Sequence, residues 1–163
     1  MIRLRSASPE DTRAIGAAIA AVTRPRDLVL LAGDLGAGKT VFTQGFGAAL
    51  GVQEPITSPT FTLVRTYPGR VPLVHADVYR LERVQEVIDL GLPELLDEGG
   101  GAVAVVEWGD VAAATFAADY LSVRMEFDDD ADQARWVTVR GVGPRWAARA
   151  ESLRESLAPW EKQ

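Results

Sequence analysis

The sequence has no cysteine, no asparagine and one histidine, and its only lysines are Lys39 and Lys162, against fifteen arginines. Without cysteine there is no disulfide framework, thiol nucleophile or cysteine-based zinc site, and a reducing compartment is allowed. Without asparagine the NKxD segment by which typical GTPases read guanine cannot exist. His75 alone makes no metal site. The longest apolar run, Ala14 to Thr23, falls well short of the ~20 residues that span a bilayer. Met1-Ile2-Arg3-Leu4-Arg5-Ser6 leads into Pro9-Glu10-Asp11 without the apolar stretch of a signal peptide. A formal net charge of -6 repels a polyanion at long range, and no Lys/Arg cluster marks a nucleic-acid footprint. The expectation is a soluble, cytoplasmic protein that meets neither a membrane nor RNA directly. Its 163 residues suit one domain, and no Pro- or Ser/Gly-rich linker divides them.

What is present is Gly33-Asp34-Leu35-Gly36-Ala37-Gly38-Lys39-Thr40, a complete GxxxxGK[ST] phosphate-loop pattern. The apolar Leu28-Val29-Leu30-Leu31-Ala32 precedes it, and Val41-Phe42-Thr43-Gln44 opens a segment of helical spacing after it. That strand, loop and helix order is the context the pattern requires. Gly33, Gly36 and Gly38 let the backbone close around an anion, with N–H groups aimed at phosphate oxygens. In this arginine-rich chain a lysine stands at the position that reaches the β- and γ-phosphates, its ammonium expected to face solvent. Thr40 follows with the hydroxyl that ligates Mg²⁺ in such loops.

Ser8-Pro9-Glu10-Asp11 starts a helix that ends near Thr23, before Pro25. The helix after the loop runs to about Leu50, with Gly51 as its terminating glycine, and Gly45-Phe46-Gly47 inside it implies close packing on the sheet. Phe61 to Tyr67 and Val71 to His75 read as an antiparallel hairpin about Pro68-Gly69-Arg70. Glu82 to Leu96 is helical, interrupted at Gly91 and Pro93. After Gly99-Gly100-Gly101, Ala102-Val103-Ala104-Val105-Val106 reads as a central parallel strand buried on both faces. Tyr120–Phe127 and Trp136–Arg140 alternate like antiparallel strands near a sheet edge. Asp128-Asp129-Asp130-Ala131-Asp132 lacks the calcium-loop framework and reads as a solvated loop. A last helix runs from about Pro144 to Leu157.

Several residues have two readings from spacing alone. Thr57, Ser58 and Thr60 are either turn hydroxyls, the reading spacing favours, or γ-phosphate neighbours. Asp77 is either half of a surface ion pair with Arg80 or Arg83, or else an outer-sphere Mg²⁺ ligand or a group that positions water. Glu107 either merely terminates its strand or stands where phosphate-loop proteins keep the Walker B acid.

Taken together, GDLGAGKT (Gly33–Thr40), SPTFTLV (Ser58–Val64), HADVYRL (His75–Leu81) and VVEW (Val105–Trp108) resemble, in order and spacing, the TsaE family, formerly YjeE. The resemblance implies an α/β, P-loop NTPase-like three-layer sandwich, its central sheet mostly parallel with antiparallel edge strands. It implies that ATP is bound by Asp34, Leu35, Gly36, Ala37, Gly38, Lys39, Thr40 and Val41, that Thr12 and Arg135 lie near the adenine, and that Thr40 and Glu107 hold Mg²⁺. Lys39, Thr60, Asp77, Arg80 and Glu107 form the implied catalytic set. Ser58-Pro59-Thr60 is then a first switch, and Asp77 with Tyr79-Arg80 a second. The implied partners are TsaB and TsaD, with tRNA met only through their complex, in threonylcarbamoyl modification of the adenosine beside the anticodon. Two readings from other classes stay open: a small-molecule kinase, for which no lid-like insertion is visible, and a nucleotide-dependent interaction module without turnover.

Overall fold

The computed structural model describes residues 1–59, 63–78, 81, 83–107 and 118–162. Ser8 caps α1 (Pro9–Val22) as its sequence predicts: the side chain accepts the Asp11 N–H at 3.2 Å, Pro9 occupies the first turn, and Glu10 and Asp11 meet the positive end of the helix dipole. The buried stripe of Ile15, Gly16 and Ile19 lies on α2 (Lys39–Ala49). Two glycines permit this approach. A Cβ on Gly16 would overlap the carbonyl oxygen of Phe42, and one on Gly45 the carbonyl oxygen of Arg13. Gly45 is therefore spent on a helix partner rather than on the sheet, while Gly47 meets Ile56 and Leu73. Gly51, at φ 85°, ends the helix where its sequence places the stop.

Among the described residues seven strands form one sheet: β1 (Ile2–Ser6), β2 (Leu28–Gly33), β3 (Val64–Tyr67), β4 (Leu73–Asp77), β5 (Val103–Glu107), β6 (Tyr120–Phe127) and β7 (Arg135–Val142), in the order β1-β7-β6-β2-β5-β4-β3. The four central strands run parallel, while β1 on β7, β7 on β6 and β3 on β4 are antiparallel. Strand alternation sends Val29, Leu31, Val103 and Val105 to one face, under α1 and α2, with α6 (Ala150–Leu157) completing that layer. Leu28, Leu30, Ala104 and Val106 go to the other face, against α3 (Val84–Asp89) and α4 (Leu92–Asp97). The result is the expected three-layer α/β sandwich. Both faces of β2 and β5 are covered, so their sequences are continuous apolar runs.

Four details depart from the sequence reading. β1, within a segment read only for its lack of a signal peptide, is an edge strand with alternating burial, and its outer side is bridged at Leu4 by Glu161. β6 is third from the edge and pairs parallel with β2, because its buried residues Leu121, Val123 and Met125 complete the main core. The second hairpin strand starts two residues later than expected, at Leu73 after Pro72. The C-terminal helix is two pieces, α5 (Pro144–Ala147) and α6, split where Arg149 takes φ -113° and ψ 10°.

That break serves an ion pair. The Arg149 guanidinium reaches Asp27 with Nη1–Oδ2 2.6 Å and Nη2–Oδ1 2.9 Å, both side chains buried, while Nη1 also donates to the Val22 carbonyl at 2.9 Å and the group lies over Trp146. It ties the end of α1, the entry to β2 and the start of α6 together. Among the described residues no helix is long and apolar enough to cross a membrane.

Candidate functional site

One rim of the sheet collects the polar residues. β2, β4 and β5 are parallel, so Gly33, Asp77 and Glu107 all end on the same side. β7 runs the other way, so its first residue, Arg135, comes to that rim opposite Phe127, the last residue of β6, and opposite Ser6 of β1. Ligands of open α/β sheets bind outside the carboxyl ends of the strands, and this rim is that place.

The loop between β2 and α2 turns on an Ala37 N–H to Asp34 carbonyl bond of 3.0 Å. Gly38 closes it at φ 103°, a left-handed conformation that disfavours a side chain, with no space for a Cβ without displacing the Met125 methyl. Asp34, Leu35 and Gly36 are exposed, whereas Ala37 and Lys39 are buried and Thr40 and Val41 half-buried. No side chain caps the start of α2.

Lys39 does not face solvent as its sequence suggested; it is only 7% exposed. Its Nζ donates to the carbonyl oxygens of Gly33 at 2.6 Å and Asp34 at 3.1 Å. Burial pushes its pKa below the ordinary lysine value, against the opposing influence of Glu107, then Asp77, then Asp34. A poorly hydrated ammonium poised among carboxylates is suited to receive an anion.

Asp77 and Glu107 are register partners at the ends of β4 and β5 and are 9% and 3% exposed. Asp77 is thus a buried strand-end carboxylate. Its N–H donates to the Leu63 carbonyl at 2.8 Å, and Leu63 takes φ 59°, a costly conformation for a leucine, next to the Ser58–Thr60 segment. Thr60, Tyr79 and Arg80 lie outside the described residues. Ser58 is exposed and Pro59 buried.

Thr12 and Arg135 flank the glycine loop. Thr12 turns its methyl toward Gly38 and shares a 2.7 Å hydrogen bond with the Ser6 hydroxyl. Arg135 donates to the carbonyl of Ala37 at 3.1 Å and to that of Gly36 at 3.4 Å, and lies over the Phe127 ring. The neighbouring acidic loop is solvated as expected except at Asp128. That carboxylate accepts Arg5 Nε at 2.8 Å and is held below the usual carboxylate range, first by Arg5 and then by the Asp130 N–H.

Sequence reasoning missed two participants. Phe127 is one, a half-exposed ring beside the loop. The other is His75, fully buried, whose Nε2 lies 3.0 Å from Glu107 Oε1 while Nδ1 has no partner. An unpartnered buried polar atom costs about 1–3 kcal/mol. The signal was there to read: a histidine in an apolar strand, two residues before Asp77 and so on its face.

Comparison with known proteins decides the family. The model of the family described as "Threonylcarbamoyl adenosine biosynthesis protein TsaE" matches residues 6–137. The chain belongs to the TsaE family. Relatives named tRNA threonylcarbamoyladenosine biosynthesis protein TsaE include that of Streptomyces coelicolor, 44% identical over 86% of this chain and 97% of its own, and that of Bacillus subtilis, 39% identical over 93% of each. A crystal structure of Bacillus subtilis YdiB superposes with a TM-score of 0.71 at 33% identity, covering 95% of this chain and 97% of that one. The family match begins at Ser6 and ends at Val137, spanning every residue of the rim.

Proposed function

We propose that this TsaE-family chain binds ATP with Mg²⁺ and hydrolyses it in support of TsaB and TsaD during threonylcarbamoyl modification of tRNA, as a cytoplasmic protein meeting tRNA only through that complex. The observation that carries the reading is the buried Lys39 ammonium at the mouth of a glycine loop, beside two buried strand-end carboxylates.

The donor set suits the ligands. Mg²⁺ takes one or two protein oxygens and completes its shell with phosphate and water. Among the described residues no group of three His, Cys, Asp or Glu side chains is placed to hold a metal. The ion would therefore share phosphate oxygens with the Thr40 hydroxyl and Glu107, and when bound it neutralises charge on the leaving phosphate. Loop N–H groups and the start of α2 hold the phosphates, and Lys39 turns from the Gly33 and Asp34 carbonyls to the γ-phosphate. Asp77 would orient water, whose oxygen bonds to the γ-phosphorus as the bridging P–O bond breaks, releasing ADP, phosphate and a proton. Thr60 and Arg80 are proposed to close on the phosphates from the two switch segments.

Asp77 rests on the Leu63 carbonyl and not on a rigid helix, so a partner that prefers one arrangement of this segment shifts its population. Phosphate release by the purified chain should accordingly be slow alone and faster with TsaB and TsaD. Full-rate hydrolysis unaltered by those proteins would refute the partner reading, and stoichiometric phosphorylation of a metabolite would replace the ATPase with a kinase.

A further inference from the structure

We propose that His75 is the positioning residue of Glu107: as the Nε2–H tautomer it fixes one carboxylate oxygen and keeps the other available to a divalent cation at the phosphate loop. The inference rests on the reading of Glu107 as a magnesium carboxylate.

β4 and β5 are in register with Asp77 opposite Glu107 and His75 opposite Val105. Side chains alternate along a strand, so His75, Asp77 and Glu107 share one face, with the imidazole one diagonal step from Glu107. The ring bridges that diagonal at 3.0 Å. An ionised carboxylate only accepts, which places the hydrogen on Nε2. That tautomer leaves Nδ1 as an acceptor without a partner among the described residues.

His75 is surrounded along β4 by Leu73, Val74 and Ala76, all buried. An aliphatic side chain there would leave no orphaned atom, so packing does not account for the imidazole. Its one hydrogen bond does. Of the carboxylates acting on the Lys39 ammonium, Glu107 acts most strongly. Released from His75, a three-torsion Glu107 would collapse toward Lys39, and each would neutralise the other before a metal or phosphate arrived. His75 thus competes with Lys39 for Glu107 and keeps anion and cation sites separate.

Two experiments test this. Because the chain has one histidine, ¹⁵N-labelled histidine gives the signals of a single ring. In the nucleotide-free protein Nε2 should be protonated and Nδ1 not, and Glu107→Ala should abolish that bias. Protonated Nδ1, or a spectrum indifferent to Glu107→Ala, overturns the proposal. In the second experiment, binding of a non-hydrolysable fluorescent ATP analogue is titrated with Mg²⁺ in the parent, His75→Leu and His75→Gln, alongside thermal unfolding. His75→Leu should bind the analogue more weakly even without metal, because Glu107 then pairs with Lys39, and need about tenfold more Mg²⁺ for half-saturation. His75→Gln, whose amide nitrogen takes the place of Nε2, should recover most of that loss. Unchanged Mg²⁺ demand in His75→Leu, or equal losses in both variants that track their melting temperatures, would show a packing role only. A parent whose analogue binding ignores Mg²⁺ overturns the reading of Glu107 as a magnesium carboxylate and the cation half of this proposal, while the ring spectrum still decides the hydrogen bond.

Discussion

Arg135 reaches from the first residue of β7 to the carbonyl oxygen of Ala37, 3.1 Å from Nε, and with its neighbouring Nη2 to that of Gly36. Its planar fork grips two consecutive loop carbonyls and so fixes the backbone of the turn whose Ala37 N–H donates to Asp34. Arg135→Ala should weaken ATP-analogue binding about tenfold, the order of one or two hydrogen bonds to a charged group, with little change in melting temperature. Arg135→Lys should rescue poorly, because an ammonium cannot grip two carbonyls in one plane. Calorimetric titration measures both.

Lys39→Ala should abolish ATP turnover while leaving the unliganded fold at least as stable. The sign follows from its depressed pKa: the fold disfavours the charged form relative to the unfolded chain, so removing the charge relieves the native state. Melting curves without nucleotide, set beside phosphate-release rates, check this. A large loss of stability would show that the Gly33 and Asp34 contacts build the loop.

Glu107→Gln should lose Mg²⁺-dependent turnover by more than it loses metal-free nucleotide affinity, since the loop amides remain. If Asp77→Asn abolishes the metal dependence and Glu107→Gln does not, the two carboxylates have exchanged roles. Rates over a Mg²⁺ series in both variants separate the outcomes.

Asp27→Ala should destabilise the protein by about 3–5 kcal/mol, because it strands the buried Arg149 guanidinium without its bidentate partner. Replacing both residues by apolar ones should cost much less than that single change. Urea titration of the single and double variants gives the comparison.

Asp128→Asn should lower the melting temperature at neutral pH and lose its effect in acid. The native pKa of Asp128 is depressed by Arg5, so its contribution is fully present above the ordinary carboxylate pKa of about 4 and disappears as pH falls through the lower native value. Melting curves of parent and variant should converge below that window.

Much of this architecture was readable from residue pattern, and the exceptions have physical causes. α1, β2, the glycine loop and β5 carry local signals: a cap, an apolar run, spaced glycines. β1 carries a signal of only five alternating residues and acquires its identity from β7, far along the chain. The parallel partnership of β6 with β2 is likewise non-local, since an alternating strand can pair in either sense. Lys39 looked solvent-facing because lysines usually are; its burial comes from the folding-back of its side chain onto Gly33. A lone histidine in the sequence reads only as the absence of a metal site, whereas what His75 contacts is a carboxylate from the adjacent strand.

The position of β2 at the middle of the sheet also governs when the loop can exist during synthesis. Its neighbours, β5 and β6, both come later in the chain, and Gly33 itself pairs with Met125. At about 5–20 residues per second, the stretch from Gly33 to Met125 takes on the order of 5–20 s to translate. Until β5 has been made the glycine loop is on the ribosome without either flanking strand, and until Met125 it lacks β6, so the loop is framed on both sides only when most of the protein has been made.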